Sequence, residues 1–98
     1  MAFKITMNLG PILVNGIRAE ERPGFYYIDM SLSGVEHSFL VEVDKRGTSL
    51  FLQPLSKDFE RCLRPYPRSN SLVNLVRRYI EGEYFEFPVD LNRYVPMQ

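Results

Sequence analysis

The fold is decided by the stretch Phe25-Tyr26-Tyr27-Ile28-Asp29-Met30-Ser31-Leu32. Every second residue from Tyr26 onward is apolar. Because successive side chains of a strand point to opposite faces, this alternation predicts a strand with one buried face. The pairs Pro23-Gly24 and Ser33-Gly34 enclose the stretch, and both favour turns. The opposite phase of the strand is also partly apolar, since it carries Phe25 and Tyr27.

Alternation with a period of two continues on both sides of this strand. It predicts further strands at 3–8, 37–43 and 48–53, with Asp44-Lys45-Arg46-Gly47 as a short hairpin connection. The segment 12–19 is open to two interpretations, because Asn15-Gly16 suits both a tight hairpin and a glycine bulge. The first half of the chain is therefore predicted to be rich in strands.

The hydrophobic period changes to that of a helix after residue 55. A short helix is predicted at 57–63, with Phe59, Cys62 and Leu63 facing inward. A longer helix is predicted at 72–81 because its apolar residues fall on a single stripe, which consists of Leu72, Leu75, Val76, Tyr79 and Ile80. Gly82 supplies the left-handed residue that commonly ends a helix.

The chain after Gly82 alternates again, with apolar residues at Phe85, Phe87, Val89 and Leu91. Pro88 cannot donate to a sheet ladder, so this segment is predicted to be an edge strand or an arm lying on a surface. The whole chain, 1–98, is expected to be a single domain that is strand-rich at 1–54, helical at 56–82 and extended at 83–98. The predicted class is α+β: an antiparallel sheet of about four to six strands, mostly N-terminal, with one short and one longer helix packed on one face, followed by a C-terminal edge strand or arm.

The overall charge and composition favour neither nucleic acid nor a membrane as a partner. Twelve Lys and Arg balance twelve Asp and Glu, so the overall field attracts neither nucleic acid nor an anionic membrane. No apolar run approaches the roughly 20 residues that span a bilayer, and the N-terminus lacks the pattern of a signal peptide. With a single cysteine, Cys62, no intramolecular disulfide can form. We expect a cytoplasmic protein without metal or cofactor.

Two residues are candidates for catalysis, His37 and Cys62, each the only one of its type. His37 shares a strand phase with Phe39, and Cys62 shares a helix face with Phe59, so both are interpreted as packing residues. No phosphate-binding loop, zinc helix or nucleophile elbow is present in the sequence. An enzyme that uses either residue is the weakest of three functional hypotheses.

A second hypothesis rests on a basic stretch. No acidic residue occurs between positions 61 and 78, which include Arg61, Arg64, Arg68, Arg77 and Arg78. Guanidinium groups bind phosphates, and Tyr66 and Tyr79 could stack on bases. The alternative function is therefore nucleic-acid or anion binding, although helix ends also favour such cations for structural reasons.

The leading hypothesis is a non-enzymatic interaction domain that self-associates as a homodimer. It rests on apolar side chains on the outward phases of the strands and on the aromatic tail, since large exposed apolar patches mark contact sites. The predicted interface residues are Phe25, Tyr27, Leu40, Phe51, Phe85 and Phe87. Whether the tail covers its own sheet or that of a partner is left open by the sequence.

Overall fold

The computed structural model describes residues 11–47, 49–63 and 69–94. Its elements follow in the order β1 (Ile12–Ala19), β2 (Phe25–Leu32), β3 (Val35–Arg46), β4 (Ser49–Pro54), α1 (Phe59–Leu63), α2 (Ser69–Ile80) and β5 (Val89–Asp90). The strands among these residues form one sheet in the order β4-β3-β2-β1-β5, and every neighbouring pair is antiparallel. This confirms the α+β class with an antiparallel sheet. The strand predicted at 3–8 lies outside the described residues.

One face of the sheet and one stripe of α2 bury the same hydrophobic core. Strand β2 contributes every second residue, as its alternation predicts, and α2 contributes the stripe that its helical period predicts. The buried core residues are Ile12, Val14, Ile17, Ile28, Met30, Leu32, Phe39, Val41, Leu72, Leu75, Val76 and Leu91. We call this side of the sheet the inner face and the opposite side the outer face.

A β-bulge at Asn15 resolves the ambiguity in the first described strand. Val14 pairs with Met30 and Gly16 pairs with Asp29, so Asn15 is an extra residue in a continuous strand. The bulge allows both Val14 and Ile17 to reach the core although they lie three positions apart. Of the two interpretations, the glycine bulge is therefore confirmed and the hairpin is wrong.

The β3–β4 hairpin is longer than its sequence suggested. Strand β3 continues to Arg46, so residues 44–46, which were predicted as a connection, are paired with β4 instead. The pairing of β2 with β3 stops at Phe25 and Glu42. Residues 44–46 and 49–51 therefore extend beyond β2, and we call them the hairpin tip. Gly47 makes the reversal possible with a φ of 62°.

The helices and the C-terminal segment differ from prediction at their ends. Helix α1 is shorter than the predicted 57–63, and α2 begins before the predicted residue 72. Gly82, with a φ of 95°, donates to the carbonyl of Tyr79 and ends α2. Strand β5 is short and pairs with β1 at the edge of the sheet, whereas residues 83–88 form no strand.

The shared core can be tested by truncating one leucine in it and one outside it. Leu75 is fully buried, so Leu75→Ala should lower the free energy of unfolding by about 2–5 kcal/mol. Leu55 is 43% exposed, and Leu55→Ala should change it by no more than about 0.5 kcal/mol. Urea unfolding measures both values, and equal losses would contradict the described core.

Candidate interaction surface

Strand pairing aligns three apolar side chains across the outer face. Tyr27 pairs with Leu40, and Leu55 donates its amide hydrogen to the carbonyl of Leu40 over 2.9 Å, which extends the pairing beyond β4. The neighbouring residue Val41 is fully buried on the inner face, so these three side chains belong to the opposite phase. We call Tyr27, Leu40 and Leu55 the apolar row. Sequence analysis did not single out Leu55.

Arginine side chains lie over the aromatic rings of the outer face. The guanidinium carbon of Arg18 is 5.0 Å from the ring centre of Tyr27, and that of Arg22 is 4.0 Å from the ring centre of Phe25. Arg46 lies over Phe51 at 5.6 Å. These are cation–π distances, so the aromatic rings are partly shielded by cations rather than left bare.

Phe51 is nevertheless 53% exposed, and it lies in the hairpin tip. Its strand partner is Asp44, whose carboxylate binds Arg46 over 2.8 Å. The ring therefore stands at the end of the sheet within a polar surround. An aromatic residue rimmed by charged groups is the usual composition of a protein contact site.

A polar network limits the apolar row on one side. Arg18 donates two hydrogen bonds to the carboxylate of Asp29, at 2.8 and 2.9 Å, and a third to the hydroxyl of Ser38 at 3.1 Å. Ser38 donates to Asp29 over 2.8 Å. The hydrogen bonds from Arg18, and then that from Ser38, hold the pKa of Asp29 below its ordinary value. The outer face is thus apolar in one row and polar in the next.

The structure brings together four of the six predicted interface residues. Phe25, Tyr27, Leu40 and Phe51 share the outer face, whereas Phe85 and Phe87 lie elsewhere. The latter two are partly buried against the core of their own chain. The ring centre of Phe87 is 6.3 Å from that of Tyr79 in α2, and the two phenylalanine rings are 6.4 Å apart.

Arg78 connects the C-terminal segment to α2. Its guanidinium binds both carboxylate oxygens of Glu83 and donates to the hydroxyl of Tyr94 over 2.8 Å. That hydroxyl in turn donates to the side chain of Asn74. The hydrogen bonds from Arg78 lower the pKa of Glu83, and those to Glu83 and Tyr94 raise the pKa of Arg78. Sequence analysis did not foresee this role, because Tyr94 is far from Arg78 in sequence.

The arginines proposed for anion binding have carboxylate partners where they are described. Arg61 binds Asp58 over 2.7 Å, Arg77 lies 3.8 Å from Glu81, and Arg78 binds Glu83. Arg64 and Arg68 lie outside the described residues. These pairs offset the local positive charge, so the described part of the chain gives the anion-binding hypothesis no support.

The two catalytic candidates, which sequence analysis treated separately, lie close together. The sulfur of Cys62 is 4.0 Å from Nδ1 of His37, and both residues are half-buried. His37 stacks on Phe39 with ring centres 5.2 Å apart, as a packing residue would. A thiol beside an imidazole can act as a nucleophile when a third group orients the imidazole. Among the described residues, no acid or amide side chain forms a hydrogen bond with His37. Nor do the described residues form any group of three metal-ligating side chains.

The polar network predicts a pH-dependent contribution to stability. Because folding lowers the pKa of Asp29, its ionised form stabilises the fold above the unfolded pKa of about 3.9, and the contribution disappears as the pH falls through the folded pKa. Asp29→Asn should therefore lower the free energy of unfolding at pH 7, and this difference from the wild type should shrink below about pH 4. Urea unfolding at both pH values measures it. A difference that does not change with pH would contradict the prediction.

The contact between Arg78 and the C-terminal segment predicts a local effect. Arg78→Ala should increase the rate at which chymotrypsin cleaves at Tyr84 and Phe85 several-fold, roughly in proportion to the population of the detached segment. Arg77→Ala is the matched control, because the ion pair of Arg77 within the described residues is the 3.8 Å contact with Glu81. Equal cleavage rates in the two variants would show that Arg78 does not hold the segment.

No protein-family model matches this chain, and no curated protein matches its sequence. No helix among the described residues is both long enough and apolar enough to span a bilayer.

Proposed function

We propose that this chain is a small non-enzymatic interaction domain that binds a protein, in the first place a second copy of itself, through the outer face of its sheet. The observation that carries the proposal is that the apolar row and the exposed Phe51 lie on the same outer face. A sheet face of this composition opposite a covered inner face is a candidate contact surface. We also propose the finer points of the predicted architecture, namely that both helices pack on the inner face and that the C-terminal segment forms an edge strand or an arm.

The residue types of the outer face favour a protein partner. Tyrosine, phenylalanine and arginine are enriched in protein interfaces, and here each of three aromatic rings is covered by a guanidinium. Aromatic rings lose little conformational entropy when they are buried, and the arginines are already held over these rings in the isolated chain. The face therefore needs little rearrangement to accept a partner.

Charge favours a second copy of the chain as that partner. The formal net charge is zero, so two copies do not repel one another. The outer face carries both signs in neighbouring pairs, such as Arg18 with Asp29 and Arg46 with Asp44. A twofold interface brings the same patch of each copy together, and a patch with both signs can complement itself. The single cysteine agrees with a cytoplasmic location, which we also propose.

The C-terminal segment contributes to this proposal only in part. Phe85 and Phe87 are half-buried on their own chain, so little of their surface is left to contact a partner. Tyr84, between Glu83 and Phe85, is 86% exposed and is the aromatic side chain of the segment that faces solvent. The outer face is accordingly the main surface, and Tyr84 is a peripheral one.

Static light scattering at micromolar concentrations tests the proposal with charge substitutions. The wild type should show a mass above that of a monomer, and Leu55→Glu and Phe51→Glu should each shift the protein toward the monomer, because a buried unpaired carboxylate opposes association. Both positions are exposed, so the fold should tolerate the change.

Val35→Glu is the matched control, because Val35 is 58% exposed but is the first residue of β3, where it pairs with Leu32, away from the apolar row. It should leave the mass unchanged. A monomeric wild type that also captures no partner, or equal effects of all three substitutions, would remove the basis of the proposal.

A further inference from the structure

We infer that strand β4 pairs edge to edge with β4 of a second copy, antiparallel and about a twofold axis at Phe51, so that two sheets join into one. The inference rests on the proposed function for the identity of the partner. It goes beyond that proposal in two ways. The contact is made by the backbone of an edge strand rather than by side chains of the outer face, and the register is given residue by residue.

In the part of the chain that the structure describes, β4 is an edge strand that lacks the usual protection. Among the described residues its only strand partner is β3. Its sequence, Ser-Leu-Phe-Leu-Gln-Pro, contains no charged residue and three consecutive apolar ones. Edge strands of monomeric proteins are normally blunted by charges, by proline, by bulges or by short length.

The opposite edge of the sheet shows what such protection looks like. Strand β5 has only two residues, one of them Asp90, and it directly follows Pro88. In β4 the single proline is the last residue of the strand. Beyond β5 the opposite edge is formed by β1, which carries the bulge at Asn15 and the charge of Arg18. The contrast between the two edges within one sheet indicates that β4 is the edge suited to pairing.

The register identifies which backbone groups of β4 are available. Leu55 donates to Leu40, so at that position the backbone points toward β3. The backbone N–H and C=O groups of successive residues in an antiparallel strand point in opposite directions. The backbone groups of every second residue, Leu50, Leu52 and Pro54, therefore point away from β3. Val43 agrees with this phase: it is the partner of Leu52, and its amide hydrogen bonds Gly24 on the β2 side. Proline has no amide hydrogen, which leaves Leu50 and Leu52 as the residues that can both donate and accept.

One antiparallel register uses both residues fully. If Leu50 faces Leu52 of the second copy, each of them donates and accepts one hydrogen bond, and symmetry repeats the pair. Phe51 then faces Phe51 of the second copy across a pair that makes no backbone hydrogen bonds, with Cα atoms about 4.5 Å apart. The two exposed rings cover each other on the joined outer face, and Pro54 falls outside the paired segment.

A second copy satisfies this edge better than an unrelated peptide. The uncharged strand does not repel itself, and each copy supplies the donors and acceptors that the other lacks. The exposed ring of Phe51 also finds an identical ring opposite it, at a separation suited to aromatic contact. A strand this short buries less than about 1,200 Å², the lower end of a standard interface. We therefore expect a weak dimer with a dissociation constant in the micromolar range.

Disulfide trapping tests the register. In a Cys62→Ser background, Phe51→Cys should form an intermolecular disulfide under diamide oxidation, because opposed Cα atoms about 4.5 Å apart suit a disulfide. Gln53→Cys is the matched control on the same outer phase. In the proposed register Gln53 faces Ser49 of the second copy, so its two copies lie roughly 13 Å apart and should not link. Trapping at 53 but not at 51, or equally at both, would overturn the register.

A proline substitution tests the backbone contact without a cysteine. Leu50→Pro removes an amide hydrogen that points away from β3, so it should leave the internal ladder intact while weakening the dimer by about tenfold or more in sedimentation equilibrium. Leu50→Ala loses the side chain but keeps the amide, and its dissociation constant should stay within about threefold of the wild type. Far-ultraviolet circular dichroism verifies that both variants are folded.

The outcomes separate this inference from the proposed function. If Leu55→Glu disrupts association but Phe51→Cys fails to link and Leu50→Pro dimerises normally, the outer face binds and the edge does not. If linking at 51 succeeds and Leu50→Pro abolishes the dimer while Leu55→Glu has no effect, the edge is the contact. The edge pairing is overturned if the wild type stays monomeric at several hundred micromolar. It is also overturned if β4 of the wild type pairs only with a strand of a different protein.

Discussion

The burial of the α2 stripe against the sheet determines the rest of the structure. Leu72, Leu75 and Val76 share one core with residues on one face of β1, β2 and β3, and this sets which face of the sheet is the inner one. A single amphipathic helix has an apolar stripe on one side only, so it covers one face of a sheet. Among the described residues, the outer face carries its own polar pairs next to apolar side chains such as Tyr27 and Leu40.

The outer face is satisfied in part by its own side chains. Arg18, Asp29 and Ser38 bind one another, and arginines cover the rings of Phe25, Tyr27 and Phe51. These contacts pair the charged groups and partly cover the rings, but they do not make the face uniformly polar. Such a surface, apolar in one row and charged in the next, suits a contact that forms and dissociates rather than a permanent core.

Sequence periodicity predicted the elements well and their long-range contacts poorly. The bounds of β2 follow from local alternation between two turn pairs, and the stripe of α2 follows from its helical period. The contact of Cys62 with His37 and the contact of Arg78 with Tyr94 join residues far apart in the chain, and no local pattern encodes them. For the same reason the sequence led us to expect Phe85 and Phe87 on a sheet, either their own or that of a partner, whereas Phe87 contacts Tyr79 of α2. The unprotected edge of β4 depends on strand order, which is likewise a tertiary property.

The bulge in β1 keeps the apolar side chains before and after it on the same face of the sheet. In a regular strand, one additional residue would turn every later side chain to the opposite face. Here Asn15 takes up that residue locally, so Ile12, Val14 and Ile17 all remain inside. Deleting Asn15 would therefore leave the same side chains of β1 on the inner face. Changes in length at this position are therefore compatible with an unchanged core, whereas the same change within β2 would turn its buried side chains toward water.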